Sequence, residues 1–143
     1  MLAVTRDDAV SVLELQRPER RNALDLAQCR AIDEAAAAEV AAGARVLVIT
    51  GEGSSFCSGA DLTGVYGEEF LQALYGMLHG LTRLPVPIIA AVNGPAIGAG
   101  TQLALACDLR VADAEARFAV PTARNGMAVD AWTMRAQIGR AHV

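Results

Sequence analysis

Two short glycine-bearing stretches carry the residue types from which a site for a polarised ligand could be built. They are FCSGADL at 56–62 and PAIGAGTQLA at 95–104. Small residues at 98–100 let a backbone come close to a ligand, and a helix that begins there would direct free N–H groups at negative charge. If the N–H groups of Ala60 and Ala99 converge, they would form a two-donor cradle for a carbonyl oxygen that gains negative charge.

Gln102 lies where the first turn of this predicted helix would be, a place at which an acid or a base would be useful. An amide does not titrate near neutral pH, so this segment could polarise a ligand without moving a proton. Taken alone, either stretch also fits an ordinary tight turn. A dinucleotide fingerprint would need a third glycine where Leu103 stands, which leaves a nucleotide-binding domain as a distant alternative.

The elements that must position these stretches alternate between strands and helices. Hydrophobic period predicts strands at about 2–6, 10–16, 45–50, 88–92 and 109–111, and helices from Asp25 to Gly43, from 67 to 82 and from Gly98. We expect 46–49 to be a fully buried strand and 88–92 to be another buried strand. This order predicts one α/β domain with mainly parallel pairing, and both glycine stretches follow buried strands, where such folds collect ligands.

Composition narrows the class of protein. The chain has 143 residues, 53% of them hydrophobic, a net charge of −4 and no lysine. Nucleic acid is therefore not an expected partner, because phosphate binding needs a basic surface. Its three separated cysteines, Cys29, Cys57 and Cys107, are typical of buried reduced thiols rather than of disulfides or a metal site. The N-terminus shows no signal peptide or membrane span, and we expect a cytoplasmic protein.

Six ordered motifs together resemble the crotonase (enoyl-CoA hydratase/isomerase) superfamily. They are RPERRNAL at 17–24, VITG at 48–51, FCSGADL at 56–62, PIIAAVNG at 87–94, GAG at 98–100 and ACD at 106–108. The resemblance covers about residues 13–135. It implies a spiral of ββα repeats, an acyl-CoA or enoyl-CoA thioester as ligand, and an oxyanion hole made by the N–H groups of Ala60 and Ala99.

The resemblance also assigns the coenzyme A pocket. It implies that the segment from Arg17 through Arg20 and Asn22 to Ala23 lines this pocket together with Ala60, Asp61 and Leu62. Coenzyme A is then part of the ligand, and no separate cofactor is expected. Relatives build a trimer, so the full-length protein is expected to be a homotrimer or a hexamer.

Hydratases of this family use two glutamates, and the matching positions here are Gln102 and Thr122. The amide cannot exchange its proton at neutral pH, and the threonine hydroxyl is far too weak an acid or base unassisted. General acid–base help contributes roughly 10²–10⁴-fold per group, so we expect ordinary hydration to be very slow. A protein of lipid metabolism that binds acyl-CoA without turnover is one alternative to an enzyme.

Asp130 is the carboxylate that remains in the right region. Some isomerase and dehalogenase relatives place a catalytic acid there, so an isomerase or hydrolase that uses Asp130 is a second alternative. The same residue is equally suited to cap the helix that follows it. We expect Asp61 to hold its loop by hydrogen bonds rather than do chemistry, and His79 to be a surface or packing residue.

The C-terminus leaves the family pattern abruptly. We expect residues 1–137 to be the N-terminal part of a crotonase-like core whose C-terminal helices are missing, and IGRAHV at 138–143 to be a non-native tail. One reading frame of a common sequencing adapter encodes this hexapeptide. A fragment of this kind is expected to expose an apolar face.

Overall fold

Strands and helices alternate along the chain in the predicted order. The computed structural model describes residues 1–61, 63, 67–121 and 130–140, with the last three as backbone only. The strands are β1 (Leu2–Asp7), β2 (Val10–Leu15), β3 (Val46–Gly51), β4 (Ile88–Val92), β5 (Ala96–Ile97), β6 (Leu109–Ala112) and β7 (Phe118–Ala119). The helices are α1 (Leu26–Ala41), α2 (Glu68–Leu81), α3 (Ala99–Ala106) and α4 (Ala131–Arg140), and a short 3-10 turn spans Pro18–Arg20.

Five strands form the main sheet in the order β1-β2-β3-β4-β6. Strand β1 pairs with β2 antiparallel, and the other three pairings are parallel. Parallel neighbours need a crossover between them, which α1, α2 and α3 supply along the chain. The predicted α/β class with mainly parallel pairing is confirmed.

A second, much shorter parallel ladder runs beside the main sheet. It consists of the isolated bridges Leu24–Ala60 and Cys57–Ala96 and of the pair β5–β7. Each parallel strand of the main sheet is thus followed by a short extended segment and then by a helix. This repeat is the predicted spiral of ββα units.

Burial alternates along the central strands. In β3, Leu47 and Ile49 are fully buried while Val46 and Val48 are half-buried, and β4 alternates in the same way. The expectation that 46–49 is a fully buried strand was therefore wrong, and strand 88–92 is fully buried on one face only. One face of the sheet packs in the core with α1 and α2, and the other face is only half covered by the described residues.

Helix α1 begins and ends as its sequence predicts. The Asp25 carboxylate accepts a hydrogen bond from the backbone N–H of Gln28 at 2.7 Å. The Gln28 amide does not complete a capping box, because it exchanges two hydrogen bonds with the backbone groups of Met1. At the other end, Gly43 adopts a φ of 98°, which glycine does without strain.

Helix α4 continues through residue 140 without a break at the predicted boundary between 137 and 138. Leu62, Thr122 and residues 141–143 lie outside the described residues. None of the helices in the described ranges is long and apolar enough to cross a lipid bilayer.

Candidate functional site

Two glycines with positive φ bring the loops of the candidate site into contact. Gly59 has a φ of 107° and Gly98 a φ of 55°. A Cβ at Gly59 would lie 2.9 Å from the carbonyl oxygen of Ile97 and 3.8 Å from the nitrogen of Ala99. Glycine tolerates both the backbone angles and this close approach, so the residues that follow, Ala60 and Ala99, lie at the junction of the two loops.

The N–H group of Ala60 points toward the second loop. The N–H of Leu24 donates to the carbonyl of Gly59, and the carbonyl of Leu24 accepts from the N–H of Asp61. Ala60 is therefore the middle residue of a parallel bridge. The polar groups of such a middle residue point to the opposite edge of its segment. On that edge the N–H of Cys57 donates to the Pro95 carbonyl, and the Cys57 carbonyl accepts from the N–H of Ile97. The Ala60 N–H therefore faces the strand that leads into α3.

Ala99 is the first residue of α3, and Gly98 is its cap. The N–H groups of a first turn have no partner within their helix, and they carry its positive dipole end. Within the described part of the chain, neither Ala60 nor Ala99 donates its N–H to a backbone or side-chain acceptor. The structure thus brings together the two donors that the sequence analysis singled out.

Gly100 allows α3 to start against the first loop. A Cβ at this position would lie 2.1 Å from the carbonyl oxygen of Cys57, well inside the contact limit. The Thr101 hydroxyl closes the same corner by donating to the Ala96 carbonyl at 2.6 Å. The first turn of α3 is therefore held directly on the segment that precedes Gly59.

Arg17 ties three segments together. Its guanidinium contacts Asp61 and Asp25 at 2.9 Å each and donates to the Ala23 carbonyl at 2.9 Å. Hydrogen bonds from the hydroxyl and the N–H of Thr63, with that of Arg17, lower the pKa of Asp61 to about 2. The expectation that Asp61 holds its loop by hydrogen bonds is confirmed, and Arg17 is committed to the same task.

The predicted pairing of segments 17–23 and 60–61 is present. Asn22 is fully buried, accepts from the backbone N–H of Arg17, and donates to the carbonyls of Glu52 and Ser55. Its side chain cannot contact a ligand directly, so the expected binding role of Asn22 becomes one of holding the loops. Ala23 is buried, whereas Arg20 is exposed beside them.

Gln102 and Asp130 meet between α3 and the start of α4. The Gln102 amide donates to the Asp130 carboxylate at 3.2 Å and to the Thr133 hydroxyl oxygen at 2.6 Å. Tyr75 on α2 donates to the same carboxylate oxygen at 2.9 Å. Three helices therefore converge on one acidic group beside the first turn of α3.

Asp130 caps helix α4. Its second carboxylate oxygen accepts from the backbone N–H of Thr133 at 2.9 Å, three residues on, as an N-cap residue does. Burial by itself would raise the pKa of Asp130, but hydrogen bonds from the Thr133 hydroxyl and N–H and from Tyr75 lower it. The capping alternative is confirmed, and the carboxylate that results is a weak base.

Two residues of this cluster, Tyr75 and Thr133, were not predicted from the sequence. Thr133 had a signal, because a residue three positions after a helix cap is a regular partner of that cap. Tyr75 had none, since its contact to Asp130 spans 55 positions. His79, one turn after Tyr75, lies 5.9 Å from the Trp132 ring and has the expected packing role.

The three cysteines are free and buried, as expected. Burial raises the pKa of Cys29 and of Cys57 to about 12, so both remain thiols. Among the described residues, no group of three or more His, Cys, Asp or Glu side chains could hold a metal ion.

A cavity of about 570 Å³ lies on another side of α3. Its described lining is Thr101, Leu105, Arg110, Phe118, Ala119, Val120 and Gln137. The cavity is apart from Ala60, Ala99 and Gln102, so it is not the cleft that the two loops form.

The fold, the two juxtaposed donor loops and the six motifs define a crotonase-like core. The enoyl-CoA hydratase/isomerase family model matches residues 5–142, and the chain belongs to this family. A "Probable enoyl-CoA hydratase echA6" from Mycobacterium leprae is 44% identical over 140 residues, which cover 94% of this chain and 57% of that protein.

Two further relatives agree. The 2,3-dehydroadipyl-CoA hydratase of Escherichia coli is 42% identical over 125 residues, covering 84% of this chain and 49% of that protein. The crystal structure of an enoyl-CoA hydratase from Polaromonas sp. JS666 superposes with a TM-score of 0.82 at 37% identity, covering 90% and 54% of the two chains. The chain thus spans about half the length of the relatives it matches.

Proposed function

We propose that this protein binds an acyl-CoA or enoyl-CoA thioester with the thioester oxygen between the N–H groups of Ala60 and Ala99. The observation that carries the proposal is the contact between the Gly59 and Gly98 turns, where neither the Ala60 nor the Ala99 N–H has an acceptor among the described residues. Two such donors and the positive end of α3 stabilise an oxygen that gains negative charge.

The coenzyme A moiety would lie along segment 17–23 and residues 60–61, continuing toward Leu62. Arg20 and Arg21 are the exposed cations of that segment, since Arg17 is held by Asp25 and Asp61. Backbone atoms and Arg20 would thus contact the ligand, and Arg17 and Asn22 would keep their loops in place. Coenzyme A remains part of the ligand, and no other cofactor is required.

Ordinary hydration is not expected at this site. Gln102 offers an amide where hydratases of the family carry a glutamate, and Thr122 stands at the second glutamate position, outside the described residues. Neither side chain transfers a proton at neutral pH without help.

A binder without turnover is favoured over an isomerase or hydrolase that uses Asp130. The Asp130 carboxylate already accepts four hydrogen bonds, and its lowered pKa makes it a poor proton acceptor. Supplying a thioester to other proteins of lipid metabolism would require only the cradle and the coenzyme A contacts.

Compartment and assembly are part of the proposal. Three free, buried thiols suit a reducing cytoplasm, and the acidic net charge of −4 disfavours a nucleic-acid partner. A homotrimer or hexamer follows from resemblance to the family.

The binding proposal is tested by Ala99→Pro in protein expressed from the complete reading frame. Proline is tolerated at the first position of a helix, and Gly98 before it has no Cβ to obstruct the ring, so the change removes the N–H at little cost to the fold. We expect butyryl-CoA to bind at least about tenfold more weakly, measured by calorimetry. Ala99→Gly keeps the N–H and is the control. Equal affinity in folded Ala99→Pro and Ala99→Gly would refute the cradle.

A further inference from the structure

The Gln102 amide has one permitted orientation. Its nitrogen faces the Asp130 carboxylate at 3.2 Å and the Thr133 hydroxyl oxygen at 2.6 Å. A carboxylate only accepts hydrogen bonds, and the Thr133 hydroxyl gives its proton to the same carboxylate. Both neighbours can therefore only accept from the amide, and its NH₂ group must face them.

The carbonyl oxygen of Gln102 is consequently directed the other way. In the described chain it has no hydrogen-bond partner, and no buried side-chain oxygen or nitrogen lacks one. Gln102 is 9% exposed, so this oxygen is not fully enclosed by the described residues. Gln102 lies three residues after Ala99 on α3, which places both on one face of the helix, one turn apart.

We propose that Asp130 is a positioning residue that keeps the Gln102 carbonyl oxygen toward the acyl part of a bound thioester. The site then selects an acyl group that carries a hydroxyl near the thioester carbonyl over one that carries a second carbonyl there. A hydroxyl donates to the Gln102 oxygen, whereas a ketone oxygen would face it with two acceptors opposed. This inference depends on the proposed function, because it needs the thioester to bind between Ala60 and Ala99.

The surroundings of Asp130 support this role. Four donor groups converge on its two oxygens: the Thr133 N–H, the Thr133 hydroxyl, the Tyr75 hydroxyl and the Gln102 amide. Together they hold the carboxylate in one place, and the hydrogen bonds from Thr133 and Tyr75 keep it ionised by lowering its pKa. An ionised, fixed acceptor is what the amide needs to remain in one orientation.

Asp130→Asn provides a sharp test, because it should invert the Gln102 amide. In the variant, the one remaining side-chain oxygen at position 130 must face the Thr133 N–H to keep the cap. The new NH₂ group then replaces the carboxylate oxygen that now faces Gln102. Two NH₂ groups cannot pair, and Gln102 would rotate its oxygen inward and its NH₂ toward the cleft. The cleft would then offer a donor instead of an acceptor.

The measurement is calorimetric binding of two probes, racemic 3-hydroxybutyryl-CoA and acetoacetyl-CoA, to protein expressed from the complete reading frame. We expect the ratio of their affinities to shift by about tenfold toward acetoacetyl-CoA in Asp130→Asn, since each exchanged hydrogen bond is worth a few-fold. If Asp130 had a merely structural role, its replacement would weaken the binding of both probes equally and leave the ratio of their affinities constant. Asp33→Asn, on the exposed face of α1, is the matched control and should keep the parental ratio.

A second variant covers the case in which Asp130→Asn does not fold. Gln102→Met removes the acceptor while keeping the side-chain size, and its ratio should also shift toward acetoacetyl-CoA, by about threefold. An unchanged ratio in a folded Asp130→Asn or Gln102→Met variant overturns the inference and leaves the proposed function intact. If the parent protein binds neither probe nor butyryl-CoA, the proposed function fails, and the inference fails with it.

Discussion

At the scale of single residues, Asp61 is held as a carboxylate by its neighbours. Hydrogen bonds from the Thr63 hydroxyl and N–H and from Arg17 lower its pKa to about 2, below the value of about 3.9 in an unfolded chain. A group whose pKa is lower in the folded state stabilises the fold above its unfolded pKa. That contribution is lost as the pH falls from about 4 toward 2.

Replacing Asp61 by Asn should therefore reduce the pH dependence of stability. We expect Asp61→Asn to lower the free energy of unfolding at pH 6 and to flatten its decline between about pH 4 and pH 2. Urea titrations over this range measure both effects. Glu34→Gln, an exposed carboxylate on α1, is the control. Parallel pH profiles for Asp61→Asn and the parent would show that these contacts do not stabilise the fold.

Under the proposed function, Gln102 and Thr122 are the positions at which acid–base groups would have to be restored. The double change to glutamate should create measurable hydration of crotonyl-CoA in protein from the complete reading frame, because it restores proton transfer beside a preorganised oxyanion site. The structure limits the gain, since a glutamate at 102 would face the Asp130 carboxylate and one of the two groups would take up a proton.

Adding Asp130→Asn to the double variant removes that repulsion and should increase the rate further. The hydration rates of the parent, the double variant and the triple variant are measured by the loss of crotonyl-CoA absorbance. A folded double variant that binds crotonyl-CoA without hydrating it would mean that the pocket lacks more than its acids. A parent protein that already hydrates briskly would refute the interpretation of Gln102.

At the scale of elements, replacing a glycine by alanine should have opposite effects on stability in two helices. Gly76 is exposed in α2, and a Cβ there would meet no atom within 4 Å. Gly100 is in α3, and a Cβ there would lie 2.1 Å from the carbonyl oxygen of Cys57. Helix propensity favours alanine at both positions, but backbone contact forbids it at Gly100.

We expect Gly76→Ala to raise the free energy of unfolding by about 0.5–1 kcal/mol, because alanine loses less conformational entropy. Gly100→Ala should lower it by roughly 1–3 kcal/mol through overpacking against the Cys57 backbone. Urea unfolding at 25 °C compares the two variants directly. Equal effects of both changes would contradict the packing of α3 against the first loop.

At the scale of the whole molecule, the core should protect all three thiols. Cys29, Cys57 and Cys107 are fully buried, and burial raises the pKa of the first two to about 12. We expect a thiol reagent at pH 8 to label them at least about a hundredfold more slowly in the native protein than in urea, as followed by mass spectrometry of their peptides. Rapid labelling of Cys57 without urea would mean that the loop before Gly59 opens readily.

The described chain also leaves apolar side chains uncovered on the edge strand β6 of the main sheet and on β7 of the short ladder. Leu109 and Val111 on β6 are 58% and 67% exposed, and Phe118 on β7 is 46% exposed. This matches the expectation of an exposed apolar face. Isolated apolar side chains are common on protein surfaces, but two on the same edge strand favour association.

The sequence by itself determined the local elements and the places where they turn. Asp25, Gly43 and the glycines of both loops act through their own backbone and their nearest neighbours, so their signals can be recognised without knowing the fold. The order of strands and helices followed from hydrophobic period in the same way. The family resemblance singled out Ala60 and Ala99 because its motifs are short and contiguous.

Only the tertiary structure decided what these elements place together. The contacts of Arg17 with Asp61 and of Gln102 with Asp130 join residues 44 and 28 positions apart, and no local pattern encodes them. The same holds for which face of β3 is buried, since this depends on where the helices pack. Long-range contacts arise when the spiral closes on itself, and they make Asp130, whose capping role is local, a partner of Gln102 and Tyr75 rather than a free acid.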